Sequence, residues 1–228
     1  VLVRSGRETP FATVHDPAAL VAAAPDLVIE CAGHGAVAGM VPDCLAAGLD
    51  TVIASIGALA DASLHDRLIT AAKAGGARLI LPAGAIGGID LLSALRPSGI
   101  ASVIYEGRKP PAAWLGSPAE KACDLKDLQS ATVFFEGTAR EAALAYPKNA
   151  NVAATLALAG TGFDETRVRL IADPDASGNT HSYSVTSGGA DYRVEITGKP
   201  SPDTPRTSMA TVYSLWREVA NLRGPVAI

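Results

Sequence analysis

Short apolar segments alternate with helical patterns through the first third of the chain. Val, Ile and Leu are concentrated in four such segments, at residues 1–3, 27–30, 51–54 and 78–82. Continuously apolar strands are buried on both faces, and strands separated by single helices pair in parallel through right-handed crossovers. The pattern therefore predicts an α/β fold that contains half of a doubly wound parallel sheet.

Helix signals lie between these apolar segments. Asp16 and Pro17 have the residue types of an N-cap and a first helical position, and they predict a helix that runs to residue 24. Gly48 ends a second helical pattern at residues 37–47, and a third helix is predicted at residues 63–75. One helix would thus connect each strand to the next.

The pattern changes after residue 97. Segments of strand character now follow one another with longer turns, at residues 100–105, 131–136, 167–172, 181–186 and 192–197. Thr138 and Glu141 have the spacing of a capping box at the start of a helix, and further helices are predicted at residues 151–159 and 207–222. This second part is predicted to be an α+β domain, a mixed sheet with helices on one side.

The change of pattern predicts two domains. Residues 1–85 would form a dinucleotide-binding domain of Rossmann type, and residues 86–204 an α+β catalytic and dimerisation domain. The C-terminal helix, within residues 205–228, is expected to pack back on the first domain. Ligands of doubly wound sheets bind beyond the carboxyl ends of the strands. The loops there are rich in Gly, Ser and Ala, which would let a flat cofactor lie against the backbone.

The start of the chain departs from the usual dinucleotide-binding pattern. A G-x-G-x-x-G turn after the first strand normally holds the pyrophosphate, and this sequence has no such turn. The chain also begins at Val1, without an initiator Met. We therefore expect residues 1–3 to be the second strand of the sheet, with the first strand, its glycine turn and its helix missing.

Two arginines, Arg4 and Arg7, follow this expected second strand. An acid at this place binds the adenosine ribose of NAD, whereas an arginine accommodates the additional phosphate of NADP. The arginines predict that NADP is accepted alongside NAD. A solvated basic turn is the alternative interpretation.

Composition and charge exclude several classes of protein. Acidic residues outnumber basic ones by 23 to 19, which argues against sequence-independent binding to nucleic acid. The charge-free stretch at residues 149–163 is too short to span a bilayer. Cys31, Cys44 and Cys123 have no metal-ligand spacing and fit a reduced compartment. We predict a cytoplasmic protein that uses no metal and acts on a small molecule, with neither nucleic acid nor membrane as partner.

Longer motifs in the second part combine glycine, aromatic and charged residues in a specific order. They occupy residues 82–90 (PAGAIGGID), 105–111 (YEGRKPP), 135–142 (FEGTAREA) and 146–155 (YPKNANVAAT). Shorter segments at residues 172–174, 179–181 and 205–208 accompany them. Together these motifs resemble the L-aspartate dehydrogenase family. The resemblance extends from about residue 26 onward and departs at the start of the chain, where members of the family carry the glycine turn.

The resemblance implies an activity, its cofactors and its site residues. The activity would be the oxidation of L-aspartate to iminoaspartate with NAD or NADP. Iminoaspartate then hydrolyses to oxaloacetate and ammonia, or enters NAD biosynthesis through quinolinate. Ala85 and Asn151 are implied to contact the dinucleotide, and His181 to be the catalytic residue. We also expect a homodimer formed through the α+β sheet.

Histidine suits this chemistry on general grounds as well. Oxidation at the α-carbon needs a group that takes a proton while the hydride leaves, and the pKa of histidine lies closest to working pH. His181 opens a predicted strand after a turn, where a rigid element can aim it into a cleft. His34, in the loop after residues 27–30, is the second candidate. Without the resemblance, a structural role for His181 stays open.

A dicarboxylic substrate needs cationic or N–H partners. Lys148, Asn149 and Asn151 lie at the N-terminal end of a predicted helix, whose free amides and dipole suit an anion. We predict that Lys148, Asn149 or nearby amides hold an aspartate carboxylate, with Thr207 and Ser208 as helpers. Ordinary helix capping is the alternative.

Simpler roles are predicted for the remaining charged and aromatic residues. Arg108 and Lys109 precede two prolines in a rigid turn and could meet an anion, but a solvated basic loop is the favoured interpretation. Trp114 and Trp216 are expected to pack. The sequence does not choose among three acids that could orient His181 or the substrate ammonium: Glu106, Glu136 and Asp90.

Two other functions stay open at this point. A related two-domain reductase, of the dihydrodipicolinate reductase or homoserine dehydrogenase kind, would share the architecture but not the motifs at residues 148–155 and 179–181. A truncated product that keeps the fold without binding cofactor is the other alternative. Cofactor binding and a substrate panel discriminate among the three hypotheses.

Overall fold

The computed structural model describes residues 1–2, 9–147, 150–202 and 207–227. Two units divide the chain, Val1–Pro82 and Ala83–Ile228, and the second unit includes the C-terminal helix. The predicted domain limits, and the predicted packing of that helix on the dinucleotide-binding domain, stay predictions.

A three-stranded parallel sheet lies in the first unit. Its strands are β1 (Val28–Glu30), β2 (Thr51–Ile53) and β3 (Leu79–Ile80), and they pair in the order β1-β2-β3. Every residue of the central strand β2 is buried, which explains why its sequence is apolar without alternation. The parallel pairing of these strands confirms the prediction for this part of the sheet, although β3 is shorter than predicted.

The helices of the first unit are α1 (Pro17–Ala22), α2 (His34–Ala46) and α3 (Ala62–Gly75). Asp16 accepts a hydrogen bond from the N–H of Ala19 at 2.7 Å, and Pro17 takes the first helical position, as predicted. Helix α2 begins three residues before its predicted start because Gly33, with a φ of 105°, serves as its N-cap. The prediction that His34 lies in a loop was therefore wrong.

The beginning of the chain is only partly described. Leu2 forms an isolated parallel bridge with Val14. Arg4 and Arg7, on which the prediction for NADP depends, lie outside the described residues, as does Val3 of the expected second strand.

A mixed five-stranded sheet is the centre of the second unit. Its strands are β4 (Ile100–Lys109), β5 (Thr132–Thr138), β6 (Arg167–Ala172), β7 (Asn179–Ser187) and β8 (Tyr192–Gly198). They pair in the order β5-β6-β4-β7-β8. Strand β4 is parallel to β6, and the other neighbouring pairs are antiparallel. The predicted mixed sheet is confirmed.

The helices of the second unit are α4 (Ile89–Ala94), α5 (Ala119–Ala122), α6 (Ala139–Ala145), α7 (Asn151–Ala159) and α8 (Met209–Arg223). The capping box of Thr138 and Glu141 is present at the start of α6, as predicted. Helices α4 and α5 have too few residues for a clear period in the sequence, and they were not predicted. Within the described part of the chain, no helix has the length and apolar character that crossing a membrane requires.

The structure corrects two predictions about packing. Strand β4 continues to Lys109 because it pairs with β6 up to Ala172, so the predicted basic loop at Arg108 and Lys109 does not exist. Trp114 is fully buried, as predicted, whereas Trp216 on α8 is 66% exposed. Packing of Trp216 in the core of the described chain was wrongly predicted, because α8 has no buried residue, whereas packing at an interface stays a prediction.

Candidate active site

The carboxyl edge of the parallel sheet is organised around the buried carboxylate of Glu30, the last residue of β1. Its Oε1 accepts hydrogen bonds from the N–H groups of Ala32 at 2.6 Å and Gly33 at 2.7 Å. The hydroxyl of Ser55 donates to Oε1 at 3.1 Å, and the N–H of Ser55 donates to Oε2 at 3.1 Å. One carboxylate thus holds together the loops that follow β1 and β2, at the edge where doubly wound sheets bind ligands.

His34, the second candidate for the catalytic residue, lies beside this carboxylate. Its Nε2 is buried and has no hydrogen-bond partner among the described residues. Burial lowers the pKa of His34, and the negative charge of Glu30 opposes that effect. His34 is therefore held as a neutral imidazole at the start of α2.

His181 lies on the central part of the five-stranded sheet. It is the third residue of β7, pairs with Gly107 of β4 and is only 4% exposed. Its Nδ1 forms a 2.7 Å hydrogen bond with the hydroxyl of the fully buried Tyr105. The two rings lie nearly parallel, at an interplanar angle of 15°. Tyr105 therefore fixes the orientation of the imidazole, and Nε2 is the ring nitrogen that Tyr105 does not bind.

The protonation states of this pair follow from burial. Burial raises the pKa of Tyr105 well above its ordinary value, so the phenol keeps its proton. Burial, reinforced by the positive charge of Lys109, lowers the pKa of His181 to about 3. His181 is thus neutral near pH 7. A phenol can donate to Nδ1 or accept from it, so Tyr105 supports both imidazole tautomers, with Nε2 as either acceptor or donor.

Gly107 makes the contact between Tyr105 and His181 possible. A Cβ atom at this position would lie 2.7 Å from the Tyr105 hydroxyl oxygen, closer than van der Waals contact allows. Because side chains two residues apart lie on the same face of a strand, the phenol of Tyr105 extends over Gly107 towards His181. The 105–111 motif therefore has glycine at position 107 because a larger residue would occupy the space of the Tyr105 side chain.

Lys109 lies on the same face of β4 as Tyr105 and is 7% exposed. Its Nζ lies 4.8 Å from the centroid of the Trp114 ring, and burial lowers the pKa of Lys109 to about 8. The neighbouring Arg108 forms a 2.7 Å ion pair with Asp173. The two basic residues of this motif therefore have different environments, and neither is a solvated loop residue.

Two of the three acids that were candidates to orient His181 have another partner. Glu106 and Glu136 both bind Arg169, at 3.0 Å and 2.6 Å. The charge of Asp90 acts on Tyr183 and Tyr192. The hydrogen-bond partner of His181 is Tyr105, which was not among the candidates. Its position two residues before Gly107, in a segment with strand character, is the signal that could have indicated it.

Ala85, predicted to contact the dinucleotide, is 8% exposed and lies in the loop before α4. The Tyr183 hydroxyl donates a 2.9 Å hydrogen bond to the carbonyl of Gly87, and the N–H of Gly84 donates to Ser214 Oγ at 3.1 Å. Because Tyr183 lies two residues beyond His181 on the same face of β7, it links the loop of Ala85 to the strand of His181.

Of the other predicted site residues, three lie at or next to the start of a helix and two lie outside the described residues. Asn151 is the first residue of α7, and its carbonyl accepts a hydrogen bond from the Thr155 hydroxyl at 3.0 Å. Ser208 is the N-cap of α8, and the carbonyl of Thr207 accepts a hydrogen bond from the N–H of Ser201 at 2.8 Å. Lys148 and Asn149 lie outside the described residues. Elsewhere in the chain, among residues that the structure describes, no His, Cys, Asp and Glu side chains form a group that could hold a metal ion.

Models of known protein families match both parts of the chain. The model of the aspartate dehydrogenase C-terminal domain matches residues 90–222, and the NAD-binding domain model of homoserine dehydrogenase matches residues 4–82. The L-aspartate dehydrogenase of Pseudomonas aeruginosa is 50% identical over 204 residues, which are 90% of this chain and 76% of that protein. The chain belongs to the L-aspartate dehydrogenase family.

Two further members of the L-aspartate dehydrogenase family support this assignment. The enzyme of Cupriavidus taiwanensis is 47% identical over 90% of this chain and 77% of its own length. The crystal structure of aspartate dehydrogenase from Thermotoga maritima has a TM-score of 0.80 at 30% identity, covering 99% of this chain and 86% of that one. These matches confirm the resemblance drawn from the motifs and the predicted fold class.

The two family models match different parts of the chain, and this bears on the choice between an aspartate dehydrogenase and a homoserine dehydrogenase. The homoserine dehydrogenase model covers only the segment with the parallel sheet, whereas the aspartate dehydrogenase model covers the segment with His181, Tyr105 and Lys109. The assignment to the L-aspartate dehydrogenase family therefore rests on the part of the chain that carries the candidate catalytic residue. The roles of His181, Ala85 and Asn151 stay predictions.

Proposed function

We propose that this chain oxidises L-aspartate to iminoaspartate with NAD or NADP as the hydride acceptor. The observation that carries the proposal is the buried pair of His181 and Tyr105, within the part of the chain that matches the aspartate dehydrogenase model. In the reaction, the substrate ammonium loses one proton and its α-carbon loses a hydride. Iminoaspartate then hydrolyses to oxaloacetate and ammonia or continues to quinolinate and NAD.

His181 is proposed to receive the proton. Tyr105 binds Nδ1 and so leaves Nε2 to face the substrate, and the neutral state of the imidazole provides a lone pair for the substrate ammonium. The same nitrogen would return the proton in the reverse direction. His181 could also assist the water that attacks the imine.

The residues present fit a dinucleotide. In the first unit, the space where a Cβ of Gly33 would lie has no atom within 4 Å, and the same holds for Gly84 in the second unit. A ligand can therefore approach the backbone closely in these loops. When bound, the nicotinamide supplies the hydride acceptor, and Ala85 and Asn151 are proposed to contact the dinucleotide.

An activity assay of the purified chain tests this proposal. Reduced nicotinamide is expected to form with L-aspartate, and L-homoserine is expected to give little or none. Each substrate is tested with NAD and with NADP. Comparable affinities for the two cofactors would support the prediction from Arg4 and Arg7, and complete rejection of NADP would contradict it. Titration of the fluorescence of NADH provides the control, because it detects the alternative of a chain that keeps the fold without binding cofactor.

We further propose that the chain forms a homodimer through the face of the five-stranded sheet that carries Ile104 and Ser184. Ile104 on β4 is 40% exposed although it lies in an inner strand, and Ser184 opposite it on β7 is exposed. A dimer would cover these side chains. Light scattering is expected to give twice the mass of the chain, and Ile104→Glu should shift the protein towards the monomer. A monomeric wild-type protein would contradict the proposal.

The cytoplasm is the proposed location. All three cysteines, Cys31, Cys44 and Cys123, are unpaired. Unpaired cysteines are typical of proteins in a reducing compartment. Cell fractionation tests this proposal, and recovery of the protein outside the cytoplasm would contradict it.

A further inference from the structure

The loop of residues 84–88 is held near both of its ends. At one end, the N–H of Gly84 donates a 3.1 Å hydrogen bond to Ser214 Oγ on α8. At the other end, the hydroxyl of Tyr183 on β7 donates a 2.9 Å hydrogen bond to the carbonyl of Gly87. The loop, α8 and β7 all belong to the second unit. The loop therefore spans two fixed points of the same unit.

The backbone of this loop has a defined shape between those points. Gly84 and Gly88 have φ angles of 71° and 73°, in the left-handed region that favours glycine. Ala85 and Ile86, between them, are buried. A loop that is already ordered loses little conformational entropy when it receives a ligand. Because Ala85 is proposed to contact the dinucleotide, the shape of this loop bears on the binding of the cofactor.

Tyr183 itself has a fixed position. It lies in an inner strand, opposite Tyr105 of β4 and Val194 of β8, and it is almost fully buried. Burial raises the pKa of Tyr183 well above its ordinary value, so the phenol keeps the proton that it donates. A Cβ atom at Gly88 would lie 2.5 Å from the Tyr183 hydroxyl oxygen. The hydroxyl thus contacts the loop backbone with no room for a side chain between them.

We propose that Tyr183 is a positioning residue for the cofactor, whose hydroxyl holds the carbonyl of Gly87 and so keeps Ala85 in place for the dinucleotide. This inference rests on the proposed function. A phenylalanine would fill the same space in the core, so what the hydroxyl adds is the bond to the loop. Because Tyr105 bonds to His181, Tyr183 is expected to act on the cofactor and not on the proposed base.

Tyr183→Phe tests the inference. The variant is expected to raise the Kd of NADH about fivefold, the usual effect of losing one neutral hydrogen bond. At saturating NAD, kcat and the KM for L-aspartate should stay within about twofold of the wild type. A loss of packing alone would lower the unfolding temperature without separating these constants. Fluorescence titration and steady-state kinetics measure the separation.

Tyr192→Phe is the matched control. The Tyr192 ring packs edge-on against the Tyr183 ring, with 5.8 Å between the centroids, and its hydroxyl is also buried. The substitution removes this neighbouring hydroxyl and leaves the bond to Gly87 in place. The Kd of NADH should stay within about twofold of the wild type. An equal rise of this Kd in Tyr183→Phe and Tyr192→Phe would assign the effect to the tyrosine pair and contradict the inference.

Gly88→Ala approaches the same contact from the loop. Its methyl group would occupy the space of the Tyr183 hydroxyl, so the variant should also weaken the binding of NADH. Adding Tyr183→Phe to Gly88→Ala should then cost little more or restore part of the affinity, since the bond to Gly87 is already lost. Fully additive losses would contradict the inference. If Gly88→Ala does not fold, the two phenylalanine variants decide the question.

The outcomes separate this inference from the proposed function. If the wild type oxidises aspartate and Tyr183→Phe binds NADH as tightly, the inference is wrong and the proposed function stands. A lower kcat in Tyr183→Phe with an unchanged Kd of NADH would also contradict the inference. If the wild type binds NADH without oxidising aspartate, the proposed function fails, and a fivefold rise of the Kd in Tyr183→Phe would still support the role of Tyr183.

Discussion

His181→Asn is expected to lower the kcat for L-aspartate by about a hundredfold or more, the usual contribution of a positioned acid or base. Asparagine is polar and fits the space of the imidazole, but its amide nitrogen has no basic lone pair that could accept the substrate proton. The affinity for NADH should stay within about twofold of the wild type, because the substitution removes no backbone group from the cofactor loops. Steady-state kinetics and NADH fluorescence measure the two effects.

Tyr105→Phe is the companion variant for this prediction. It removes the 2.7 Å hydrogen bond to Nδ1 but keeps the ring that packs on Gly107. One neutral hydrogen bond contributes about 1 kcal/mol, so kcat should fall roughly five- to tenfold. A small loss of kcat in His181→Asn would contradict the proposed role of His181 as the base. His34 would then be the candidate for that role.

Glu30→Leu is expected to destabilise the protein by about 2–4 kcal/mol, because it leaves the buried N–H and hydroxyl of Ser55 and two part-buried backbone N–H groups without their acceptor. The carboxylate accepts four hydrogen bonds, from Ala32, Gly33 and twice from Ser55. Without it, the loops after β1 and β2 lose their common partner. The affinity for NADH should therefore fall together with the unfolding temperature.

Two control variants refine the test of Glu30. Ser55→Ala removes a single hydroxyl donor and should cost about 1 kcal/mol, with little change in NADH affinity. Glu30→Gln keeps one acceptor oxygen but directs an NH₂ group at donors, so it should lie between Ser55→Ala and Glu30→Leu. An NADH affinity and an unfolding temperature in Glu30→Leu equal to the wild-type values would show that the carboxylate does not organise this edge.

Much of the fold could be predicted because its elements carry local signals. Strand β2 is buried along its whole length, and the helices after Asp16 and Thr138 begin with side chains that cap their own N–H groups. Both partners of such an interaction lie within a few residues of each other, so a short stretch of sequence is enough to predict it. The alternation of strands and helices then restricts the pairing to a parallel sheet.

The predictions that failed depend on partners far away in the sequence. Lys109 was assigned to a basic loop because two prolines follow it, whereas pairing with β6, about 60 residues later, extends β4 to that point. Trp216 has the helical spacing of a packed residue, yet α8 has no buried residue. Local spacing does not reveal which faces another element covers.

Periodicity in the sequence by itself determined the parallel and mixed sheets, because it is a property of residues close together in the chain. The motifs, also local, carry the resemblance to the L-aspartate dehydrogenase family, and that resemblance implies His181 as the catalytic residue. Only the tertiary structure decided how the candidate site is built. The pairing of β4 with β7 places Gly107 opposite His181, and with it the phenol of Tyr105 and the buried ammonium of Lys109. Burial then sets their charges, since the cost of removing a charged group from water depends on everything that packs around it.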